Sequence, residues 1–247
     1  MSEKAYLVQV GTTPAPETIV IKVMENGPYE VHGCPPLAQA IIEQNALRQS
    51  WRYRAGKPFA LTEKAHLCRC GHSRNAPFCD GSHRTAGVDL TETASFAPML
   101  DEATVIEGPS LTLADNKQYC AFGRFCDAGE RIWNQVGLGG EDNDRLTERM
   151  AHHCPAGRLL VFENETGAPV EPAQPAALGL IEDPALGVSG PIMVTGGIRV
   201  ESASGESYEI RNRQALCRCG QSANKPFCDG SHASIKYRDG LPLPEEH

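Results

Sequence analysis

A segment of seventeen residues rich in metal-ligand side chains occurs twice in the chain. It reads LCRCGHSRNAPFCDGSH at 67–83 and LCRCGQSANKPFCDGSH at 216–232, and the two copies differ at only three positions. Each copy has the form C-x-C-x8-C-x3-H, and so close a match at a constant offset of 149 residues indicates a duplicated functional unit. The candidate ligands are Cys68, Cys70, Cys79 and His83 in the first copy and Cys217, Cys219, Cys228 and His232 in the second.

The spacing within each copy suits two separate pairs of metal ligands. Two cysteines that are two positions apart on an extended chain can converge on one metal when the following glycine, Gly71 or Gly220, turns the backbone sharply. The third cysteine and the histidine are four positions apart, so on a helical turn they face the same way and can bind a second metal. The Asp-Gly between them suits the start of a short helix, whose positive end would face an anionic cluster.

Zinc is the main alternative at these positions. Three thiolates and one imidazole also make a good structural zinc site, so a structural zinc-binding interaction protein is an alternative function. Zinc sites usually combine C-x2-4-C and H-x3-5-H pairs, whereas each copy here offers one C-x-C pair and one C-x3-H pair, as expected for one pair per iron. Disulfides are less favoured for the ten cysteines of the chain, because they belong to secreted proteins and these cysteines lie beside histidines at metal-ligand spacing.

Both segments resemble the CDGSH iron–sulfur (mitoNEET-like) family at essentially every motif position. The resemblance implies two [2Fe-2S] clusters, each with one iron held by the first two cysteines and the other by the third cysteine and the histidine. Family members often pair two such units into one β-rich body, which a tandem repeat could achieve within a single chain. In the family a lysine at the position of Lys225 can approach the cluster, so the resemblance makes Lys225 a tuning candidate. Ser82 and Ser231 are further candidates, because each can donate a hydroxyl hydrogen bond.

Three further cysteines lie between the two copies. The segment CAFGRFC contains Cys120 and Cys126, and Cys154 follows after EDNDRLTERMAHH, in which Asn and Asp capping signals predict a helix. Bacterial ferredoxins place ligands as C-x2-C-x2-C with a distant Cys-Pro, and here Gly123 occupies the second ligand position. The stretch ending in CPAGRL at 154–159 resembles the divergent mono-cluster ferredoxin module. That resemblance implies a third cluster on the three cysteines, either [3Fe-4S] or [4Fe-4S] with a non-cysteine fourth ligand; three inert buried cysteines are the alternative.

The elements that position these ligands divide into three predicted modules. We predict a first CDGSH iron–sulfur domain at 1–95, a divergent ferredoxin-like mono-cluster module at 96–165, and a linker with a second CDGSH domain at 166–247. The predicted fold class is α+β, with small β-rich CDGSH modules in tandem flanking the ferredoxin-like module. NGPYEVHG at 26–33 resembles SGPIMVTG at 189–196, and in each a Gly-Pro turn leads into residues that alternate as in a strand.

Two stretches outside the motifs carry predictions of their own. Between its Gly-Pro turn and its first cysteine, the first copy has 14 residues more than the second. The stretch PPLAQAIIEQNALRQSW places Leu37, Ile41 and Ile42 at helical spacing, which predicts one inserted helix. The Pro- and Gly-rich stretch from Glu165 to about Pro184 is typical of a linker.

The composition limits the classes of partner. The formal net charge is −8 and no run of Lys and Arg offsets it locally, so nucleic acid is disfavoured as a partner. The N-terminal MSEKAYLVQV lacks the apolar core of a secretory signal and the Arg and Ser enrichment of a transit peptide. No apolar stretch approaches the ~20 residues that span a bilayer. We therefore predict a cytoplasmic protein with no membrane partner.

No motif for substrate chemistry accompanies the candidate cluster ligands. The sequence contains no P-loop, no dinucleotide-binding fingerprint and no nucleophile elbow, so we expect no enzyme activity and assign no catalytic residue. We predict an iron–sulfur protein that acts in electron transfer, or in cluster transfer or redox sensing, and whose partner is a redox protein or an apo-protein that accepts a cluster. The electron-delivering component of an oxidoreductase complex is a further alternative.

Overall fold

The computed structural model describes residues 6–242, and its architecture is mixed α and β. Twelve β-strands dominate, with only three α-helices in the described part of the chain. The predicted α+β class is confirmed, and the two regions that carry the repeated motif flank a central region. The first residues of the N-terminal segment on which the compartment prediction rests lie outside the described residues. Between residues 6 and 242, no helix has the length and apolar character needed to cross a membrane.

The first sheet contains the four strands β1 (Val20–Val23), β2 (Tyr29–His32), β5 (Lys64–Leu67) and β11 (Arg199–Glu201). Their order across the sheet is β11-β1-β2-β5. β2 is antiparallel to both β1 and β5, whereas β1 is parallel to β11. β2 is the strand predicted after the first Gly-Pro turn, and β5 leads directly into the first candidate ligand, Cys68.

The second sheet contains the five strands β3 (Leu37–Gln44), β4 (Ser50–Phe59), β9 (Ala177–Asp183), β10 (Val188–Thr195) and β12 (Arg213–Leu216). Their order is β12-β10-β9-β3-β4. β10 is antiparallel to β9 and β12. It contains the strand predicted after the second Gly-Pro, but Gly190 and Pro191 lie within β10 at a register shift and not in a turn. β12 leads directly into Cys217, so both motifs begin at the end of an equivalent strand.

The first half of the molecule contributes the β3–β4 hairpin to the second sheet, and the second half contributes β11 to the first sheet. β3 follows β2 in the chain but pairs in parallel with β9, and β11 follows β10 but pairs in parallel with β1. Main-chain hydrogen bonds therefore join the two halves in both sheets. The two repeats pair into one β-rich body within a single chain, as the family resemblance had allowed.

The prediction of an inserted helix at 35–51 is wrong, because the extra residues form the β3–β4 hairpin. β3 lies between β9 and β4, and three consecutive residues on it, Ala40, Ile41 and Ile42, are buried. A strand that is covered on both faces has no apolar–polar alternation. Its apolar positions can then coincide with helical spacing, which is why the pattern was misleading.

The prediction of a linker from Glu165 to about Pro184 is also wrong for its second half. Residues 177–183 form β9, which lies in the middle of the second sheet with Leu178, Leu180 and Ile181 buried. The strand is a short apolar run flanked by Pro and Gly, and its parallel partner β3 lies far away in the sequence. The local composition therefore did not identify this stretch as a strand.

The central region contains a three-stranded sheet and two helices: β6 (Thr104–Glu107), β7 (Leu111–Asp115), β8 (Leu159–Glu163), α1 (Ile132–Leu138) and α2 (Glu141–His152). α2 confirms the helix predicted from EDNDRLTERMAHH. No side chain caps its N-terminus, and the acidic residues Glu141, Asp142 and Asp144 in the first turn complement its positive end instead.

One continuous hydrophobic core connects the three predicted modules. It includes Val31 from the first motif region, Leu113 from the central region and Val194 from the second motif region. Separate cores therefore do not mark the boundaries predicted near residues 95 and 165, and these boundaries remain a prediction.

Candidate metal centres

The four candidate ligands of the first motif lie in two pairs. The Sγ atoms of Cys68 and Cys70 are 3.5 Å apart, and the Sγ atom of Cys79 is 3.5 Å from Nδ1 of His83. Main-chain hydrogen bonds tie the two pairs together: the N–H of Cys68 donates to the carbonyl of Pro77 at 2.9 Å, and the N–H of Cys79 donates back to β5 at 2.9 Å. The ligand pairs are thus fixed to each other by an extension of the first sheet.

The second motif repeats this arrangement. The Sγ atoms of Cys217 and Cys219 are 3.8 Å apart, and the Sγ atom of Cys228 is 3.5 Å from Nδ1 of His232. The N–H of Cys217 donates to the carbonyl of Pro226 at 2.8 Å, and the N–H of Cys228 donates back to β12 at 2.8 Å. Both copies therefore present one thiol–thiol pair and one thiol–imidazole pair.

A short helical turn places the third cysteine and the histidine on the same side in each copy. The turn is a 3-10 helix at Ser82–Arg84 in the first motif and α3 (Ser231–Ser234) in the second. Each turn begins after a glycine in the left-handed conformation, Gly81 at φ 87° and Gly230 at φ 91°. The predicted helical turn is confirmed.

A polar network holds the loop between the second and third cysteines. In the first copy, Asp80 Oδ2 accepts a hydrogen bond from the N–H of Arg74 at 2.9 Å, and Ser73 Oγ donates to the carbonyl of Phe78 at 2.6 Å. The second copy makes the same two bonds at 2.8 and 2.7 Å. The motif aspartate therefore closes the loop instead of binding a metal.

The two thiols of each C-x-C pair differ electrostatically. A hydrogen bond from Cys70 lowers the pKa of Cys68 to about 5, and a hydrogen bond from Cys219 lowers the pKa of Cys217 to about 7. The same contacts raise the pKa of both donor thiols, and burial raises the pKa of Cys228. Thiolates are the form that binds metals, so a buried set with one readily ionised member suits a soft metal centre that displaces the remaining protons.

The grouping of these side chains fits a cluster with two metals. Within residues 6–242, no three His, Cys, Asp or Glu side chains are arranged to hold one metal ion. The ligands occur as two pairs per motif, at 3.5–3.8 Å within a pair. Thiolate and imidazole are the ligands found at [2Fe-2S] centres that have mixed Cys and His ligation. The donor set in each motif therefore fits a dinuclear iron–sulfur cluster.

The two C-x-C loops contact each other. A Cβ atom placed on Gly71 would lie 2.5 Å from the carbonyl oxygen of Cys219, and one on Gly220 would lie 2.5 Å from the carbonyl oxygen of Cys70. Both glycines adopt φ 78°, a conformation that other residues rarely adopt. Only glycine permits this approach, so the duplicated motif brings its two sites side by side.

The second site is the more deeply buried of the two. Cys228 is 2% exposed and His232 is 4% exposed, whereas Cys79 and His83 are only half-buried. Burial also lowers the pKa of His232 to about 4. The Cys79–His83 pair of the first site is therefore more accessible to solvent than the Cys228–His232 pair of the second.

One residue that supports the second site was missed in the sequence. The hydroxyl of Tyr29, on β2, donates to the carbonyls of Cys217 and Pro226 at 2.8 and 2.9 Å. The alignment of the two Gly-Pro segments places Ile192 at the equivalent position of the second copy. The two segments are otherwise similar, so the presence of tyrosine in one copy and isoleucine in the other is the signal that could have identified Tyr29.

The arginine inside each C-x-C was also missed, although both copies contain it. Arg69 is 3% exposed and donates to three main-chain carbonyls, among them that of Gly27 at 2.6 Å. Arg218 is 3% exposed and forms ion pairs with Glu182, at 2.9 Å, and with Asp239. Arg69 thus ties its loop to the β1–β2 turn and to Leu90, and Arg218 ties its loop to β9 and to Asp239. The recurrence of this arginine in both copies was the available signal.

The three proposed tuning residues lie beside the motifs. The ammonium of Lys225 donates to the carbonyl of Ser222 at 2.6 Å, and the hydroxyl of Ser231 donates to Asp229 at 2.7 Å. Ser82 is half-buried at the start of the equivalent turn in the first copy. Their effect on a cluster remains a prediction.

The three cysteines of the central region line one cavity of about 170 Å³. Cys120, Cys126 and Cys154 therefore come together as predicted, although they are distant in sequence. Burial, followed by the charge of Cys154, raises the pKa of Cys126 to about 12. Phe122 and Arg124 adopt left-handed conformations at φ 52° and 62°, and such turns form concavities that suit anions.

One wall of this cavity carries a guanidinium fixed in an ion pair. Arg158 lines it and forms two hydrogen bonds with Asp115 at 2.7 and 2.6 Å. The indole N–H of Trp133, another lining residue, donates to Asp115 at 2.8 Å. The cavity thus combines three thiols, a fixed guanidinium and an irregular loop, a set that can accommodate an anionic cluster.

The central cavity lies against the second motif. A Cβ atom placed on Gly230 would lie 3.0 Å from the carbonyl oxygen of Cys120. The side-chain amide of Asn224 donates to the carbonyl of Gln118 at 3.2 Å across the same boundary. In contrast, a Cβ atom on Gly81, the equivalent residue of the first motif, would meet nothing within 4 Å. The second site therefore lies between the first site and the three-cysteine cavity.

Two regions of the chain, residues 26–84 and 189–233, match the protein family described as iron-binding zinc finger, CDGSH type. The recognition of tandem CDGSH motifs is confirmed, and this family binds iron–sulfur clusters, typically [2Fe-2S]. The match does not extend to the central region, whose ferredoxin-like character remains a prediction. No curated protein and no solved structure matches the chain.

Proposed function

We propose, from the premise that residues 26–84 and 189–233 are CDGSH-type iron-binding regions, that this chain binds two [2Fe-2S] clusters and acts in electron transfer, or in cluster transfer or redox sensing. The observation that carries the proposal is the duplicated pairing of ligands. In each motif a thiol–thiol pair and a thiol–imidazole pair, at 3.5–3.8 Å within each pair, are tied together by main-chain hydrogen bonds.

The ligand assignment follows these pairs. In the first motif Cys68 and Cys70 would hold one iron, and Cys79 and His83 the other. When bound, a [2Fe-2S] cluster accepts and returns one electron. The neutral imidazole leaves the site one unit less negative than four thiolates would, which favours the reduced form. In the second motif the equivalent ligands are Cys217, Cys219, Cys228 and His232.

A third cluster, [3Fe-4S] or [4Fe-4S], is proposed for the central cavity. Cys120, Cys126 and Cys154 supply three thiolates, and the guanidinium of Arg158, held in place by Asp115, supplies a fixed N–H donor beside them. The alternative, three inert cysteines, leaves unexplained why cysteines from two segments separated by two helices line one cavity beside a guanidinium.

The arrangement of the sites supports transfer through the protein. The first and second sites meet at Gly71 and Gly220, and the second site meets the central cavity at Gly230. We infer that the half-buried first site is where a redox partner protein or an apo-protein acceptor docks, since its Cys79 and His83 are accessible to a partner. The same geometry would serve an electron-delivering component of an oxidoreductase complex.

Anaerobic purification followed by iron, sulfide and zinc quantitation, with EPR after reduction, tests this function. The expected product is red-brown, contains iron and sulfide in equal amounts for the two CDGSH sites, and gives a signal on reduction. Cys70→Ser and Cys219→Ser should each remove one [2Fe-2S] signal, and Cys126→Ser should remove a third, distinct signal. A colourless protein that contains zinc and no sulfide would establish the structural zinc alternative.

A further inference from the structure

One buried arginine forms no ion pair among residues 6–242. Arg211 is 2% exposed, and both terminal nitrogens of its guanidinium lack a hydrogen-bond partner in this part of the chain. Glu209 interacts with it only at longer range, because this carboxylate accepts a hydrogen bond from the N–H of Met99 at 2.9 Å instead. A buried charge without hydrogen bonds is costly, so this position needs an explanation.

Other buried arginines in the same area have carboxylate partners. Arg158 forms two bonds with Asp115, and Arg213 forms an ion pair with Glu171 at 2.7 Å. At both of these positions a carboxylate therefore neutralises the buried guanidinium. Arg211 has no such ion pair.

The guanidinium of Arg211 lies between residues that adjoin two candidate cluster sites. It stacks over the ring of Tyr119 at 4.4 Å and over the ring of Phe227 at 4.8 Å. Tyr119 directly precedes Cys120 of the central cavity, and Phe227 directly precedes Cys228 of the second motif. The guanidinium of Arg211, which forms no ion pair, therefore lies at the boundary between these two sites.

We propose that Arg211 is a positive charge shared by the second CDGSH site and the three-cysteine site, and that it raises the reduction potential of the clusters bound at both. Iron–sulfur clusters with thiolate ligands carry negative charge that increases on reduction, so a buried cation beside them favours the reduced form. The first site has no cation at the position equivalent to Arg211, because the offset of 149 residues places the exposed Thr62 there. This inference rests on the proposed binding of clusters.

An EPR-monitored redox titration of the holoprotein and of three Arg211 variants tests the proposal. Arg211→Met and Arg211→Gln should lower the midpoint potentials of the second and central clusters. We expect about a tenfold change in the ratio of reduced to oxidised cluster at a fixed potential, equivalent to about 59 mV for one electron. Arg211→Lys retains the charge and should retain most of the potential. The midpoint of the first cluster should not move in any of the three.

A matched control removes a neutral pair from the same area. The double variant Arg213→Met/Glu171→Met deletes both partners of a buried ion pair beside Cys154 and should leave the midpoints close to those of the parent. The proposal is overturned if Arg211→Met or Arg211→Gln, folded and with full iron and sulfide content, leaves the second and central midpoints unchanged. It is equally overturned if Arg211→Lys shifts them as far as Arg211→Met does. Absence of iron and sulfide from the parent would instead refute the proposed function itself.

Discussion

The two CDGSH motifs share fourteen of seventeen residues, yet their surroundings differ strongly. In the first motif Cys79 and His83 are half-buried, whereas in the second Cys228 and His232 are 2% and 4% exposed. The ligand pairs themselves have nearly the same geometry in both copies. The difference between the sites therefore comes from what packs against them and not from the ligands.

Three contacts account for the burial and charge of the second site. The central region lies against Gly230, the hydroxyl of Tyr29 donates to the carbonyl of Cys217, and Arg211 stacks on Phe227. None of these contacts has an equivalent of the same kind at the first site. Duplication followed by one-sided packing can thus turn two similar sites into an accessible one and an enclosed one.

The contact between the two sites should be the most sensitive feature. Gly71→Ala should lower the free energy of unfolding by roughly 3 kcal/mol, because a Cβ atom would lie 2.5 Å from the carbonyl oxygen of Cys219 at a residue with φ 78°. Gly87→Ala is the control: its φ is 65°, but a Cβ atom there meets nothing within 4 Å, so only about 1–2 kcal/mol of backbone strain is expected. If urea unfolding shows that Gly71→Ala and Gly87→Ala lower the free energy of unfolding equally, the two loops do not touch.

The contact between the central region and the second motif can be measured with one pair of variants. Gly81→Ala and Gly230→Ala replace equivalent glycines with φ 87° and 91°, so their backbone strain should be similar. Only Gly230→Ala also brings a Cβ atom to 3.0 Å from the carbonyl oxygen of Cys120. We expect it to cost about 1 kcal/mol more in unfolding experiments. A larger cost for Gly81→Ala would contradict the one-sided packing.

The free energy of unfolding should depend on pH through Glu30, a residue of the first half of the molecule. Burial opposes ionisation of Glu30, but hydrogen bonds from Lys64 and His32 outweigh it and lower its pKa from 4.5 to about 2. The ionised carboxylate therefore stabilises the fold above about pH 4.5, and this contribution is lost as the pH falls toward 2. Glu30→Gln should cost about 1 kcal/mol at pH 7, after allowance for the exposed partners.

Unfolding measurements on Glu30→Gln and the parent across this pH range test the direction of the pH dependence. The difference between them should shrink as the pH falls from 4.5 toward 2. Met193 is the equivalent residue of the second copy, so Met193→Leu should show no such dependence. A difference that grows in acid would mean that Glu30 has the opposite shift.

The smallest effect concerns a motif position that carries a charge in only one of the two copies. Lys225 in the second copy replaces Ala76 of the first, and its ammonium donates to the carbonyl of Ser222. We expect Lys225→Ala to lower the second midpoint, and Ala76→Lys to raise the first, by the equivalent of a few tenths of a kcal/mol because solvent screens a half-exposed charge. Redox titrations in which both midpoints stay in place would assign Lys225 a structural role only.

The sequence predicted the grouping of the candidate ligands better than it predicted the sheets. C-x-C-x8-C-x3-H specifies ligand types and a local turn, and both the turn and the pairing depend on nearby residues. β3 and β9 were missed because each pairs in parallel with a strand from the other half, and such partners leave no local pattern. Arg211 could not be predicted at all, because its environment arises only when Tyr119 and Phe227 meet in the folded chain.

The central claim is that one chain holds two [2Fe-2S] clusters side by side, and the EPR spectrum of the fully reduced protein tests it most directly. Because the loops meet at Gly71 and Gly220, we expect magnetic interaction between the two reduced clusters to split or broaden the spectrum. Cys126→Ser, which removes the proposed central centre, serves as the background: adding Cys70→Ser or Cys219→Ser then leaves one [2Fe-2S] cluster and should give a sharp spectrum without this interaction. A Cys126→Ser spectrum equal to the simple sum of the spectra of these two double variants would contradict the account.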